Sequence, residues 1–379
     1  MTLTKLFNEF FKSEKAGGLI LIACTVFSLL IANSSLQQGY INFWLTDVGG
    51  HSITHWINDG LMSIFFLMIG LELEREIYAG ELSNVRNALL PIIAAIGGVL
   101  VPAGIYLFLN YGTNTQNGAG IPMATDIAFA IGILALLGSR VPASLKIFLT
   151  ALAVIDDICA IIVIAIFYST GVSFIYLSIA LGIFGLLLLL NRLKIRNLII
   201  YLIAGVAMWY CMLHSGIHAT IAGVLLAFAI PFGNGSEKSS SYILQHALHK
   251  PVAFLILPLF ALANTGIVFE HNFTQGLFSN ESMGIITGLV IGKPVGILIF
   301  AGIAVLTGIC VLPEDLKWKH IIGAGMLAGI GFTMSIFVTL LAFTNNTDIA
   351  TAKIAIIFAS LAAAVLGLIW LHFILKKKA

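Results

Sequence analysis

The sequence predicts an all-α polytopic membrane protein of about twelve transmembrane helices, and three observations carry that prediction. Of the 379 residues, 59% are hydrophobic and only 9% charged, whereas about a quarter of a soluble domain is charged. Apolar runs long enough to cross a bilayer recur along the whole chain, separated mostly by short connections. Lysines and arginines fall almost entirely into alternate connections, the asymmetry expected of cytoplasmic loops.

In order, the expected spans are 17–33, 57–71, 89–109, 120–138, 146–168, 172–190, 198–213, 216–231, 251–269, 284–306, 321–343 and 352–374. The first follows Lys5, Lys12 and Lys15. Gly17 to Ala32 is long for a signal-peptide core and no small-x-small site precedes Asn33, so it reads as a retained helix. With the N-terminus in the cytoplasm, only Lys353 of the 19 lysines and arginines falls outside and only Lys293 within the bilayer. A miscounted helix would scramble every later loop, so this distribution supports an even number of crossings with both termini cytoplasmic. The spans leave no room for a sizeable soluble domain. Residues 1–379 therefore read as one membrane domain, its two halves joined by a cytoplasmic linker near 232–250 containing Gly233, Gly235 and Ser239 to Ser241. Cys24, Cys159, Cys211 and Cys310 have no paired spacing and read as packing residues. No cofactor and no nucleic-acid partner is expected; membrane lipid is the expected surrounding partner.

Two spans carry helix-breaking signals at mid-depth. The fourth has Pro122 with Thr125-Asp126, and the eleventh has Gly329-Ile330-Gly331-Phe332-Thr333-Met334-Ser335. Broken helices survive in a bilayer only where protein or water satisfies the freed backbone groups, so they tend to line a cavity. The fourth is the middle of spans 3–5 and the eleventh the middle of spans 10–12. An odd offset points the two triplets in opposite directions, the pattern of inverted repeats in secondary transporters.

Asp156 and Asp157 lie side by side in the apolar run from Lys146 to Tyr168. An ionisable side chain at the centre of a span costs roughly 2.5–3.5 kcal/mol even on the lenient insertion scale. On a helix the two side chains diverge by about 100°, so they cannot share one proton and each needs its own partner. A carboxylate that holds either a proton or a small cation, with alternating access, is sufficient for antiport. Lys293, within Gly292-Lys293-Pro294, needs an anion; the expected pair is Asp156, leaving Asp157 as principal cation and proton ligand. At the fourth-span break, Asp126 is expected to neutralise a half-helix N-terminus, and Thr125 to offer oxygen to a hard cation. Whether Asp126 also touches the ion stays open.

Glu72, Arg75 and Glu76 stand at the inner end of the second span with i,i+3 and i,i+4 spacing. On residues alone they read as a solvated charge cluster. His246 and His249 read as loop histidines near the cytoplasmic surface, and His218 as a packed helix-end histidine. An intramembrane aspartyl protease would need Gly-x-Gly-Asp, but Phe332 follows Gly329-Ile330-Gly331. A channel fits less well than stepwise exchange, because a single asymmetric site with a buried lysine is not a selectivity ring.

The stretches 124–130, Leu137-Gly138-Ser139-Arg140-Val141-Pro142, Ala153-Val154-Ile155-Asp156-Asp157, Gly292-Lys293-Pro294 and 331–335 resemble the NhaA family of bacterial Na⁺/H⁺ antiporters along nearly the whole chain. NhaA is itself a standing example of the inverted-repeat architecture, so the resemblance and the repeat pattern are not independent. The resemblance implies electrogenic exchange of Na⁺ or Li⁺ for protons across the bacterial inner membrane. It implies that Asp156 and Asp157 are the transport carboxylates holding the Na⁺ or Li⁺, and that Asp126, Thr125 and Lys293 support the crossed fourth and eleventh helices. It further implies a cytoplasmic pH-response region, which would include Glu72, Arg75, Glu76, His246 and His249, with His218 as a modulator. Residues 242–245 depart from the family's charged pattern, Gln245 standing where an acid is expected. A homodimer is implied through the outer loop 34–56, which is shorter here.

Overall fold

The structure is a computed structural model that describes residues 3–83, 85–169, 171–233, 235–269 and 276–375. Lys376, Lys377 and Lys378, counted above on the cytoplasmic side, lie outside the described residues. Among the described residues, eight helices are long and apolar enough to cross a bilayer, ten if each of two bent pairs is one span. The bent pairs are 16–32 with Gln37–Leu45, turned by 115°, and Trp318–Ala328 with Phe332–Ala342, turned by 48°. The remaining two expected crossings coincide with shorter apolar helices, Leu198–Leu213 and Ile221–Ala229.

The helices used below are α1 (Leu3–Ala32), α2 (Gln37–Leu45), α3 (Met62–Tyr78), α4 (Val85–Asn110), α5 (Ile127–Ala135), α6 (Ala143–Phe167), α7 (Phe174–Arg192), α8 (Leu198–Leu213) and α9 (Ile221–Ala229). They continue with α10 (Ser240–Pro251), α11 (Leu257–Asn264), α12 (Asn280–Thr287), α13 (Lys293–Leu306), α14 (Trp318–Ala328), α15 (Phe332–Ala342) and α16 (Asn346–Ile374). A two-stranded hairpin, Asp47–Val48 with His51–Ser52, decorates the 34–56 loop.

Several boundaries differ from the sequence reading, each for a local reason. The second span runs on to Tyr78, because Glu72 to Glu76 are good helix formers; the charge cluster is therefore part of the helix. Helix α10 begins at Ser240, inside the expected linker, where the Ser239 side chain accepts a hydrogen bond from Tyr242 N–H at 3.3 Å. The tenth span starts at Asn280 and changes to a π turn over Gly288–Gly292 before Lys293. Pro294 has no N–H to give to the preceding turn, so the ladder re-registers just before it.

The chain forms two compact units: Met1–Ser35, Asn84–Ala160 and Asn264–Ala379 make the first, and Leu36–Ser83 and Ile161–Ala263 the second. The second unit is built on α3, α7, α8 and α9, with Leu67, Leu71, Leu187, Tyr201, Met208 and Leu226 at its centre. In the first, α4 packs along α13 and the interrupted spans pack on α4, α13 and α16. The approach of α4 to α13 depends on two glycines. A Cβ on Gly97 would strike Gly296 O and the Phe300 side chain, and a Cβ on Gly296 would strike Gly97 O. Without a hydrophobic force between helices in lipid, such close backbone approach is what holds a pair together. Gly97→Val is therefore expected to lower stability by about 1–3 kcal/mol in a detergent melting experiment. Gly104→Ala, on the same helix with nothing within 4 Å of its Cβ position, should leave the melting temperature unchanged.

Candidate functional site

The fourth span is broken into a 3₁₀ segment, Gln116–Met123, and α5, with Ala124, Thr125 and Asp126 outside regular helix between them. The eleventh is broken between α14 and α15 at Gly329–Gly331. Each break leaves carbonyls without donors on one side and N–H groups without acceptors on the other. Within the first unit, the two breaks satisfy one another. Asp126 N–H donates to Ile330 O at 2.7 Å, Thr125 Oγ1 donates to Ala328 O at 2.9 Å, and Ser335 Oγ donates to Ile121 O at 2.7 Å.

Charges are distributed over these broken ends according to their dipoles. Both half-helix N-termini, with their partial positive charge, converge on Asp126. Its Oδ1 accepts from Phe129 N–H at 3.0 Å at the start of α5, and its Oδ2 accepts from Thr333 N–H at 3.1 Å and from Thr333 Oγ1 at the start of α15. One carboxylate thus caps two helices, with both oxygens occupied. On the opposite side, the Lys293 ammonium donates to Met123 O, where the 3₁₀ segment ends. Asp126→Ala removes both caps and is expected to cost about 2 kcal/mol, at about 1 kcal/mol per cap. Thermal unfolding should show about half that loss for Thr333→Ala.

Lys293 also meets Asp156: Nζ lies 2.9 Å from Asp156 Oδ2, and both side chains are 0% exposed. Thr125 Oγ1 is 2.7 Å from the same Oδ2. Its single hydrogen serves either Asp156 or Ala328 O at a given moment. Asp156 Oδ1 is buried with no hydrogen-bond partner among the described residues. A buried carboxylate oxygen without a donor is costly unless a proton or a cation comes to it. Asp157, the next residue on α6, is 1% exposed. The first unit therefore gathers Thr125, Asp126, Asp156, Asp157 and Lys293. Carboxylate, hydroxyl and carbonyl oxygens are the donors that suit a hard cation.

The second unit holds the remaining candidates. Arg75 lies over the Tyr242 ring at 5.7 Å from its centroid, and Tyr242 stacks on His246 with centroids 6.1 Å apart. Glu72 and Glu76 are half-buried on α3, His249 is half-buried on α10, and His246 is exposed. His218 is apart from them, its Nε2 3.1 Å from Tyr168 O.

Sequence reasoning assigned no role to two residues that the structure makes prominent. Thr333 completes the Asp126 double cap; its signal is a hydroxyl in the first turn after a glycine-rich break. Glu74 is 4% exposed, and its Oε2 accepts from Ser241 Oγ at 3.0 Å, tying α3 to α10. Glu74 lies three, four and seven residues after Leu71, Gly70 and Leu67, on the buried stripe rather than with Glu72 and Glu76.

The profile of the family described as Na⁺/H⁺ antiporter 1 matches residues 8–371. The chain is 67% identical over 375 residues to the Na(+)/H(+) antiporter NhaA 1 of Flavobacterium johnsoniae, covering 99% of this chain and 98% of the relative. It is 62% identical to Na(+)/H(+) antiporter NhaA of Dechloromonas aromatica, over 98% of this chain and 96% of that one. It is 48% identical to the protein of that name in Vibrio cholerae, over 99% and 100%. Among solved structures, the sodium proton antiporter MjNhaP1 from Methanocaldococcus jannaschii has the same overall fold, with a TM-score of 0.56 at 16% identity, over 98% of this chain and 100% of that one.

Proposed function

Because the chain belongs to the Na⁺/H⁺ antiporter 1 family and is a multi-pass membrane protein that exchanges Na⁺ for protons, we propose that Asp156 and Asp157 form the site at which the two ions replace one another. The observation that carries this reading is the unequal pair. Asp156 is committed on one oxygen to Lys293 and open on the other, with Asp157 buried beside it. Asp157 is the principal ligand for Na⁺ or Li⁺, and Asp156 joins it through Oδ1 while Lys293 balances its charge. Thr125 and Asp126 hold the crossed breaks, so Asp126 acts on the ion by positioning rather than by contact.

Exchange proceeds by alternating access of this one site to the two sides of the bacterial inner membrane, with twelve crossings, both termini cytoplasmic and a single membrane domain. Transport is electrogenic and pH-regulated. The pH response is assigned to the meeting of α3 and α10, with Glu72, Arg75, Glu76, His246 and His249 as its residues and His218 as a modulator; the contacts of Arg75 with Tyr242 and of Glu74 with Ser241 support this reading. A homodimer through the 34–56 hairpin loop completes the proposal. In proteoliposomes under a pH gradient, Na⁺ or Li⁺ should each collapse the gradient and shift a potential-sensitive dye, K⁺ should do neither, and the rate should rise with pH. A rate unaffected by Na⁺ and Li⁺ at every pH would overturn the reading.

A further inference from the structure

A second carboxylate, outside the central site, is buried without a donor. Glu281, in the first turn of α12, is 6% exposed, and its Oε1 has no hydrogen-bond partner among the described residues. The neighbouring Ser282 is 0% exposed and its Oγ is likewise unpartnered. Both residues belong to the first unit.

The side-chain donors that the end of α4 and the turn after it bring to α12 are used elsewhere. Asn110 gives its amide hydrogens to Tyr106 O and Asn280 O, each at 3.0 Å. Thr115 Oγ1 donates to Asn110 Oδ1 at 2.9 Å, and Tyr106 OH donates to Thr115 O at 2.8 Å. This network joins the end of α4 to α12, and none of its hydrogens goes to Glu281. The Ser279 hydroxyl caps the helix by accepting Ser282 N–H at 3.2 Å.

Among the described residues, no cation forms an ion pair with Glu281. From α4 the titratable group is the Tyr106 phenol. Asp348 stands in the first turn of α16, three residues before Thr351, whose side chain lies 3.7 Å from the Cβ position of Gly276, just ahead of α12. Lys353, also on α16, makes no ion pair among the described residues. Two carboxylates and an unpartnered hydroxyl therefore lie at one end of the first unit, and neither carboxylate is in an ion pair among the described residues. A buried acceptor without a hydrogen is costly, and more so when charged. A small cation removes that cost.

We propose that Glu281, with Ser282 and Asp348, forms a second site for a monovalent cation, taking Na⁺ in competition with a proton, at the end of the molecule away from the cytoplasm. It deepens the Na⁺/H⁺ exchange reading and uses its orientation: this end of α12 faces outward, where Na⁺ leaves and protons enter. The outer site holds the arriving or departing ion before it passes to or from Asp157.

The test is ²²Na⁺ binding to the full-length protein purified in detergent at alkaline pH, with the central site disabled by Asp157→Asn. That variant should keep saturable ²²Na⁺ binding that added protons displace. Adding Glu281→Gln should weaken the remaining binding at least tenfold, Ser282→Ala should weaken it less, and Glu281→Asp should keep it. Retention in Glu281→Asp separates loss of the carboxylate from loss of folding. The inference is overturned if the Asp157→Asn variant binds no Na⁺ saturably, or if it binds Na⁺ equally well with and without Glu281→Gln. Failure of the central reading has a different signature: an Asp157→Asn variant that still exchanges ions.

Discussion

Asp157→Asn is expected to abolish the Na⁺-induced collapse of a pre-formed pH gradient in everted membrane vesicles at every pH. Asparagine keeps the size of the side chain and loses the two properties that exchange requires, a removable proton and a negative charge for the cation. A charge-assisted contact worth about 3 kcal/mol corresponds to about a hundredfold in affinity, and loss of the proton step removes what turnover remains. Asp157→Glu keeps both properties in a displaced position, so it should retain measurable exchange with weaker Na⁺ half-saturation. An Asp157→Asn variant with wild-type rates would remove Asp157 from the mechanism.

The second large effect belongs to Lys293. Its ammonium is bonded to Asp156 Oδ2 and to Met123 O, with no exposure of either side chain of the ion pair. Removing one partner of a buried pair leaves the other charge without compensation, at a cost of about 3–5 kcal/mol. Lys293→Ala should therefore lower the melting temperature sharply and alter both Na⁺ affinity and pH dependence. Asp156→Asn in the same chain removes the stranded carboxylate, so the double variant should be more stable than Lys293→Ala alone. Equal melting temperatures for the single and double variants, or unchanged ion affinity in Lys293→Ala, would dissolve the pairing.

Features confined to one stretch of chain were legible without coordinates. Asp156, Asp157, Asp126 and Lys293 are conspicuous because they interrupt apolar runs, and an ionisable group at such depth is a site until shown otherwise. The breaks at 124–126 and 329–331 were readable from Pro122 and the paired glycines. Which group each broken end meets was not. Asp126 and Thr333 are 207 residues apart, and only the crossing of the two spans makes one carboxylate the cap of two helices. Glu74 was masked by its neighbours: in a row with Glu72, Arg75 and Glu76 it reads as one more surface charge. Its position on the Leu67–Leu71 stripe, and its partner Ser241 167 residues away, emerge only from packing. The inner end of the second span and the start of α10 were misjudged because capping and propensity carry helices beyond the apolar run that identifies them. Glu281 escaped notice because it stands at a span boundary, where an acid in the first helical turn is ordinary.

Na⁺ and H⁺ are expected to occupy the same carboxylate site by turns. The most direct measurement is the half-saturating Na⁺ concentration for exchange in proteoliposomes, followed across the acidic flank of the activity profile. If one proton must leave for each Na⁺ that binds, that concentration rises about tenfold for each unit of pH decrease, by linkage between the two ligands. A half-saturating concentration that stays flat while the maximal rate falls would mean that protons act at a separate site and that the two ions do not compete for one carboxylate pair.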